Sequence, residues 1–197
     1  MKSAKTEKEQ LAAYFRRYGK ISISDIDYFF TLMQLKEFSK SEYILEAGKT
    51  CKHQYFISKG LTRTFYIDHN GTEKITQFAI ENWWLTNWDS YKNEAPSTSY
   101  IQALEDSIIL QIEKSELEKA LSKIPALERI FREITENWLI AIQRRSEFYL
   151  NLDSKSRYEK FIATLPNFSQ RVPQYMIASY LEITPQHLST IRAKYIS

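Results

Sequence analysis

Between Phe38 and Ile112 the sequence breaks into short runs rich in aromatic and β-branched residues, and this pattern limits the fold more than any other feature. The runs are EYIL, QYFISKG, LTRTFYID, EKITQFAI, SYIQAL and SIILQI. Each is bounded by Gly, Asn, Asp or Pro, residues that stop strands and build turns. Six or more strands spaced about ten residues apart predict a β-barrel or sandwich. DHNGTE carries an Asn-Gly pair between alternating segments, the best short-range hairpin signal in the chain. Gly48, Gly60 and Gly71, three of the four glycines, fall at the turns of this region.

Both flanks read as helical. Residues 5–36 open with a capping-box pattern, Thr6 and Glu9, followed by Leu11, Tyr14, Phe15 and Tyr18 at helical spacing. Gly19 ends that segment and a second begins behind Ser24. From Ser115 the pattern is helical again, with SELE as another capping box. After Pro125 a long periodic segment places Leu127, Ile134, Ala141 and Phe148 seven apart, with Phe131, Trp138 and Arg145 between them. Such a helix either packs on its own domain or joins two copies of the chain. Its uninterrupted length favours a dimerisation helix, with Leu127, Phe131, Ile134, Trp138 and Ala141 at the contact.

Past residue 150 the β character is lost, and Asp153 or Ser154 is expected to cap the next helix. The expected division is a β-barrel domain at 1–123, the long helix at 124–150 and an all-α unit at 151–197. The fold class is α+β.

The stretch VPQYMIASYLEITPQHLSTIRAK carries two short amphipathic helices on either side of a tight break. Pro173 is expected at a first helical position, and Thr184 as the N-cap before Pro185. Ile177, Ala178, Leu181, Leu188, Ile191 and Tyr195 form the inward stripe. Gln186, His187, Ser189 and Thr190 are left outward, with amide and hydroxyl groups suited to base edges. Arg171, Arg192 and Lys194 are candidates for phosphate contacts. This matches helix-turn-helix geometry; the alternative is an ordinary helical hairpin with a solvated face. Glu182 occupies the turn, where glycine is common.

Charge and cysteine usage narrow the class. Residues 1–150 hold 21 basic and 21 acidic residues, while 151–197 hold six and three, so the net charge of +3 sits in the last quarter. That bias fits a part facing nucleic acid. A single cysteine, Cys51, excludes an intrachain disulfide framework and a four-thiolate cluster from one chain. No metal site and no resident cofactor are expected. The polar start MKSAKTEKEQ and the absence of a long apolar run predict a cytoplasmic protein with no membrane association. No phosphate loop, nucleophile elbow or metal-ligand spacing points to an enzyme.

The order of strand region, long helix and helix-turn-helix resembles the Crp/Fnr family of bacterial transcription regulators. RVPQYMIASYLEITPQHLSTIRAK is similar to the C-termini of its short, Bacteroidetes-type members. YILEAGKTCKHQYFISKGLTRTFYIDHNGTEKITQFAIENWW resembles the first half of its cyclic-nucleotide-binding-type jelly-roll barrel. The likeness covers about residues 20–195. It implies a homodimer joined along the long helix, double-stranded DNA as partner, RNA polymerase as a further candidate partner, and an effector pocket in each barrel.

The sequence departs from cAMP-binding members where they hold the cyclic phosphate. Aligned through YIQALEDS, the family's arginine position falls on Ser97, followed by Thr98, and no arginine lies between Arg63 and Arg129. A buried phosphate needs a charge-assisted partner, so cAMP or cGMP bound in the usual way is not expected. Trp83, Trp84 and Trp88 stand nearby. They either fill a core or, with Ser97 and Thr98, line a pocket for an unknown effector. The remaining alternative is a ligand sensor or protein-interaction module without DNA binding. It is suggested by the absence of arginine from the first two turns of the outward face.

Overall fold

The computed structural model describes residues 2–164 and 168–196, with side chains described for 5–164 and 168–193. Two helices come first: α1 (Lys2–Phe15) and α2 (Ile23–Thr31). Eight strands follow: β1 (Gln34–Phe38), β2 (Tyr43–Leu45), β3 (His53–Lys59), β4 (Thr62–Ile67), β5 (Glu73–Ala79), β6 (Trp84–Leu85), β7 (Tyr100–Ala103) and β8 (Ser107–Glu113). A short helix, α3 (Trp88–Asn93), sits between β6 and β7. The chain continues through α4 (Lys114–Lys123), α5 (Pro125–Asn151), α6 (Ser154–Thr164), α7 (Phe168–Arg171), α8 (Gln174–Tyr180) and α9 (Pro185–Ile196).

The strands form two four-stranded antiparallel sheets, ordered β1-β8-β3-β6 and β2-β7-β4-β5. This is the expected jelly-roll barrel. The Asn-Gly signal marks a real hairpin: β4 and β5 pair from Thr62↔Ala79 to Ile67↔Glu73. In its turn the Asp68 carboxylate accepts from the Asn70 and Thr72 amides, both at 2.9 Å.

Four boundaries differ from expectation. The helical reading through residue 36 runs over β1, which pairs with β8 from Gln34↔Gln111 to Phe38↔Ser107. Local pattern lost there to long-range strand pairing. α1 begins before Thr6, and α4 begins before Ser115 with no side-chain cap, so neither capping box caps a helix. Ser22 rather than Ser24 caps α2, accepting from the Asp25 amide at 3.0 Å.

Three apolar cores divide the molecule. Between the sheets, Leu45, Tyr55, Ile57, Leu85, Tyr91, Ile101 and Ile109 fill the barrel interior. Behind the first sheet, Phe56, Leu110 and Ile112 pack on Leu11, Phe15, Phe29, Leu127 and Phe131. Against the second sheet, Phe65, Ile75 and Phe78 join Phe161, Phe168, Ile177, Leu181 and Leu188 of the C-terminal helices. The barrel and the closing helices therefore share one core.

The turn between β3 and β4 is tight. Gly60 has φ +106°, and a Cβ there would lie 2.2 Å from Ser107 Oγ and 2.9 Å from Ser107 Cα.

The seam read on α5 faces its own chain. Leu127 is fully buried and Phe131 is 9% exposed. Ile134 packs against the same core, and Trp138 lies 5.9 Å from Trp88. Phe148 joins the C-terminal core. Leu127, Phe131, Ile134 and Trp138 are thus held within the chain, and Ala141 is exposed beside them. The apolar side chains left bare on α5 are Leu139, Ile140, Ile142 and Leu150. At 100° per residue, Leu139, Ile142 and Leu150 centre roughly a quarter-turn from the predicted seam. Periodicity found an apolar stripe but could not say that the protein's own helices and Trp88 would cover it. Among the described residues, no helix is long and apolar enough to cross a membrane.

Candidate nucleic-acid interface and inter-module cavity

α8, the Leu181–Thr184 turn and α9 form the two-helix unit. Pro173 stands just before α8 as its N-cap residue, one position earlier than expected. Ile177, Ala178 and Leu181 are fully buried, Leu188 is 1% exposed and Ile191 is 7% exposed. Thr184 caps α9, its hydroxyl accepting from the His187 amide at 3.1 Å. With that face anchored, Gln186, His187, Ser189 and Thr190 are exposed together. Thr190 donates its hydroxyl to Gln186 O at 3.1 Å, leaving the Gln186 side-chain amide free of that bond. Arg192 is half-buried at the edge of this face. The side chains of Lys194 and Tyr195 lie outside the described residues.

The turn stores strain. Glu182 adopts φ 57°, the left-handed region that a side chain disfavours. Its amide donates to Ser179 O at 3.2 Å, and Ile183 N donates to Ala178 O at 3.0 Å. Glu182→Gly is expected to raise stability by about 0.5–1 kcal/mol, the strain relieved being partly offset by glycine's greater unfolded-state entropy. Urea denaturation checks this; a loss of stability would show that the Glu182 side chain stabilises the turn.

Arg171 is placed away from α9. Its guanidinium donates to both oxygens of Glu81, at 2.8 and 3.0 Å, and to both of Glu105, at 2.9 and 2.7 Å. It therefore ties α7 to two turns of the barrel, and in this arrangement it is not free to meet a phosphate. Hydrogen bonds to Glu105 and Glu81 raise the Arg171 pKa further above its ordinary value. Burial pushes the Glu81 carboxyl up, but Arg171 and backbone amides, Gly60 among them, outweigh it and hold the pKa below the usual range. The Glu81 contribution to stability is thus present above the ordinary glutamate pKa and is lost as pH falls through the lowered folded value.

The five effector-pocket candidates do not converge. Ser97 is 3% exposed and belongs to the backbone network, donating its hydroxyl to Ser99 O at 2.8 Å and its amide to Lys49 O at 2.9 Å. Thr98 is exposed. Trp88 packs on Tyr91 and Trp138. Trp84 stacks on Phe15 with an interplanar angle of 6° and meets Phe131 edge-on. Trp83 and Trp84 instead line a cavity of about 510 Å³ outside the barrel interior. Its walls come from α1, β5 and the turn into β6, α5, and the C-terminal helices through Phe161 and Tyr180. Tyr14 of α1, and Arg17 and Tyr18 of the turn just past its end, belong to this cavity and were missed by the sequence reading. Their helical spacing alone marks only a packed face. Among the described residues, no group of three or more His, Cys, Asp and Glu could hold a metal ion.

Comparison with known proteins follows the same outline. Residues 35–123 match the cyclic nucleotide-binding domain family. The chain is 30% identical over 136 residues to the regulatory protein HlyX of Actinobacillus pleuropneumoniae, covering 69% of this chain and 55% of that protein. It is 28% identical over 139 residues to the fumarate and nitrate reduction regulatory protein of Vibrio cholerae, covering 71% and 54%. The chain therefore spans about half the length of the curated relatives it matches. The fold resembles FixK2 from Bradyrhizobium japonicum, with a TM-score of 0.70 at 15% identity over 82% of this chain and 83% of that one. The match to a cyclic nucleotide-binding domain and the similarity to regulators of the fumarate-and-nitrate-reduction type accord with the resemblance to the Crp/Fnr family.

Proposed function

We propose that the protein is a DNA-binding transcription regulator that works as a homodimer, with no enzymatic activity of its own. The observation that carries this reading is α9. One face is locked into the core by Leu188 and Ile191, and the opposite face presents Gln186, His187, Ser189 and Thr190 to solvent. A rigidly seated helix with a free polar face is what major-groove reading requires. Gln186 suits the N6 and N7 edge of adenine, and Ser189 and Thr190 suit several bases. Arg192 and Lys194 serve phosphates. Arg171 is reassigned to the barrel contact described above. The relatives' names as regulatory proteins support the same reading.

Selection of duplexes from a random pool, read by gel shift, tests it. Gln186→Ala is expected to relax preference at one base pair by about 1–3 kcal/mol. Arg192→Gln is expected to weaken all sequences alike and to flatten the salt slope by about one unit. Binding that enriches no sequence and shows no salt dependence would favour a sensor without DNA binding.

The dimer contact is assigned to the bare stripe of α5, with Leu139, Ile142 and Leu150 at its centre. Leu139→Asp with Ile142→Asp is expected to dissociate the dimer in sedimentation equilibrium while far-UV circular dichroism stays unchanged. A variant that still sedimented as a dimer would place the contact elsewhere. The effector is not a cyclic nucleotide held in the usual way. The barrel interior is filled, and Ser97 stands buried where an arginine is required.

A further inference from the structure

The cavity between the barrel, α1, α5 and the C-terminal helices has the chemistry of a ligand site. Its volume of about 510 Å³ falls within the range of small-molecule sites. Aromatic rings dominate the walls, among them Tyr18, Phe78, Trp83 and Trp138. Trp83 is 41% exposed, a large ring that the chain covers only in part. All four tryptophans lie in this wall or, for Trp88, directly behind Trp138.

The polar part of the wall is unbalanced in charge. Arg17 and Arg145 both line the cavity, and neither has a carboxylate partner among the described ion pairs. Arg145 instead lies over the Tyr180 ring at 4.3 Å and donates to Tyr149 Oη at 3.3 Å. Arg17 lies 5.7 Å from the Tyr14 ring centroid. The lining holds one acid, Glu81, which Arg171 and the Gly60 amide already occupy. Trp84 adds a buried indole N–H with no acceptor. The wall thus sets two arginines without carboxylate partners against one carboxylate already engaged, beside neutral amides such as Gln77, Asn82 and Asn137. A buried donor without a partner is costly, so an acceptor brought by a ligand is favoured.

We propose that this cavity binds a small planar aromatic carboxylate. Its ring stacks among the tryptophans and its carboxylate meets Arg17 and Arg145. Ion pairing to a planar guanidinium accounts for the acid, and ring stacking accounts for the aromatic part. The site is separate from the space between the sheets, and neither Ser97 nor Thr98 belongs to it. The assignment does not rest on what α9 reads, because binding is measured without DNA.

Calorimetric titration of the full chain uses trans-cinnamate as the probe. Its neutral amide, non-aromatic hexanoate and cAMP are the comparators. Saturable binding of cinnamate is expected, with the amide and hexanoate each weaker by about tenfold or more. Arg17→Gln, at an exposed position, is expected to remove most of the difference between acid and amide. Trp83→Ser is expected to weaken cinnamate by about tenfold while leaving the fold intact by circular dichroism. Arg145 is a less clean position because it also stacks on Tyr180. Three results would overturn the proposal: no saturable binding of cinnamate, equal binding of acid and amide, or cAMP as the tightest ligand.

Discussion

Phe131→Ala should lower folding stability by about 3–5 kcal/mol, and the loss should not depend on protein concentration. The ring is 9% exposed and meets three others, Phe15 at 5.8 Å, Phe29 at 6.0 Å and Trp84 at 5.2 Å. Phe15 and Phe29 are themselves fully buried, so the space left cannot collapse without moving α1, α2 and β6 together. The cost is the lost burial plus the cavity that remains. Chemical denaturation at two protein concentrations tenfold apart separates this from an interface effect. A dimer contact would give a midpoint that shifts with concentration, whereas a core contact gives a constant decrement. A decrement below about 1 kcal/mol would show that the α5 seam is not packed on its own chain.

Gly60→Ala should cost about 3 kcal/mol or more, where Gly71→Ala costs about 1. Both glycines have positive φ, +106° and +77°, so both substitutions are strained. They differ in what the methyl meets. At Gly71 nothing lies within 4 Å. At Gly60 the new carbon would fall 2.9 Å from Ser107 Cα, which is backbone of β8 and cannot swing aside. The neighbouring amide also matters: Gly60 N donates to Glu81 Oε1 at 3.0 Å, and Glu81 is held by Arg171. A shift of this turn therefore disturbs the attachment of the C-terminal helices. Thermal unfolding of the two variants side by side tests the argument. Equal losses would mean that the Ser107 contact relaxes without cost.

The two glycine positions also show what a sequence discloses and what it hides. Turn chemistry is local, and the strand pattern, the Asn-Gly hairpin and the Thr184 cap could all be read from neighbouring residues. The inward stripe of α8 and α9 was legible for the same reason, because 3.6-residue periodicity separates Leu188 and Ile191 from Gln186 and Thr190. Partners far along the chain leave no such trace. Arg171 reads as a spare cation, yet its carboxylates are 90 and 66 residues away. β1 reads as helix because its pattern is weak and its partner β8 is distant. The α5 stripe was visible, but which of its sides stays bare depended on Trp88 and the N-terminal helices. The cavity was half legible: its tryptophans stood out, and its arginines did not.

The shared core between the second sheet and the closing helices bears on how the protein comes apart. Ser179 completes the join at its edge, donating its hydroxyl to Glu73 O at 3.0 Å and accepting from the Ile75 amide at 3.1 Å, so a side chain does the work of a neighbouring strand on β5. Phe65, Ile75 and Phe78 share this core with Phe161, Phe168, Ile177, Leu181 and Leu188 of the closing helices. Severing the chain after residue 150 would leave an apolar face and an open sheet edge, the combination that drives aggregation. Barrel and closing helices are in that sense a single melting unit, and neither is a portable part.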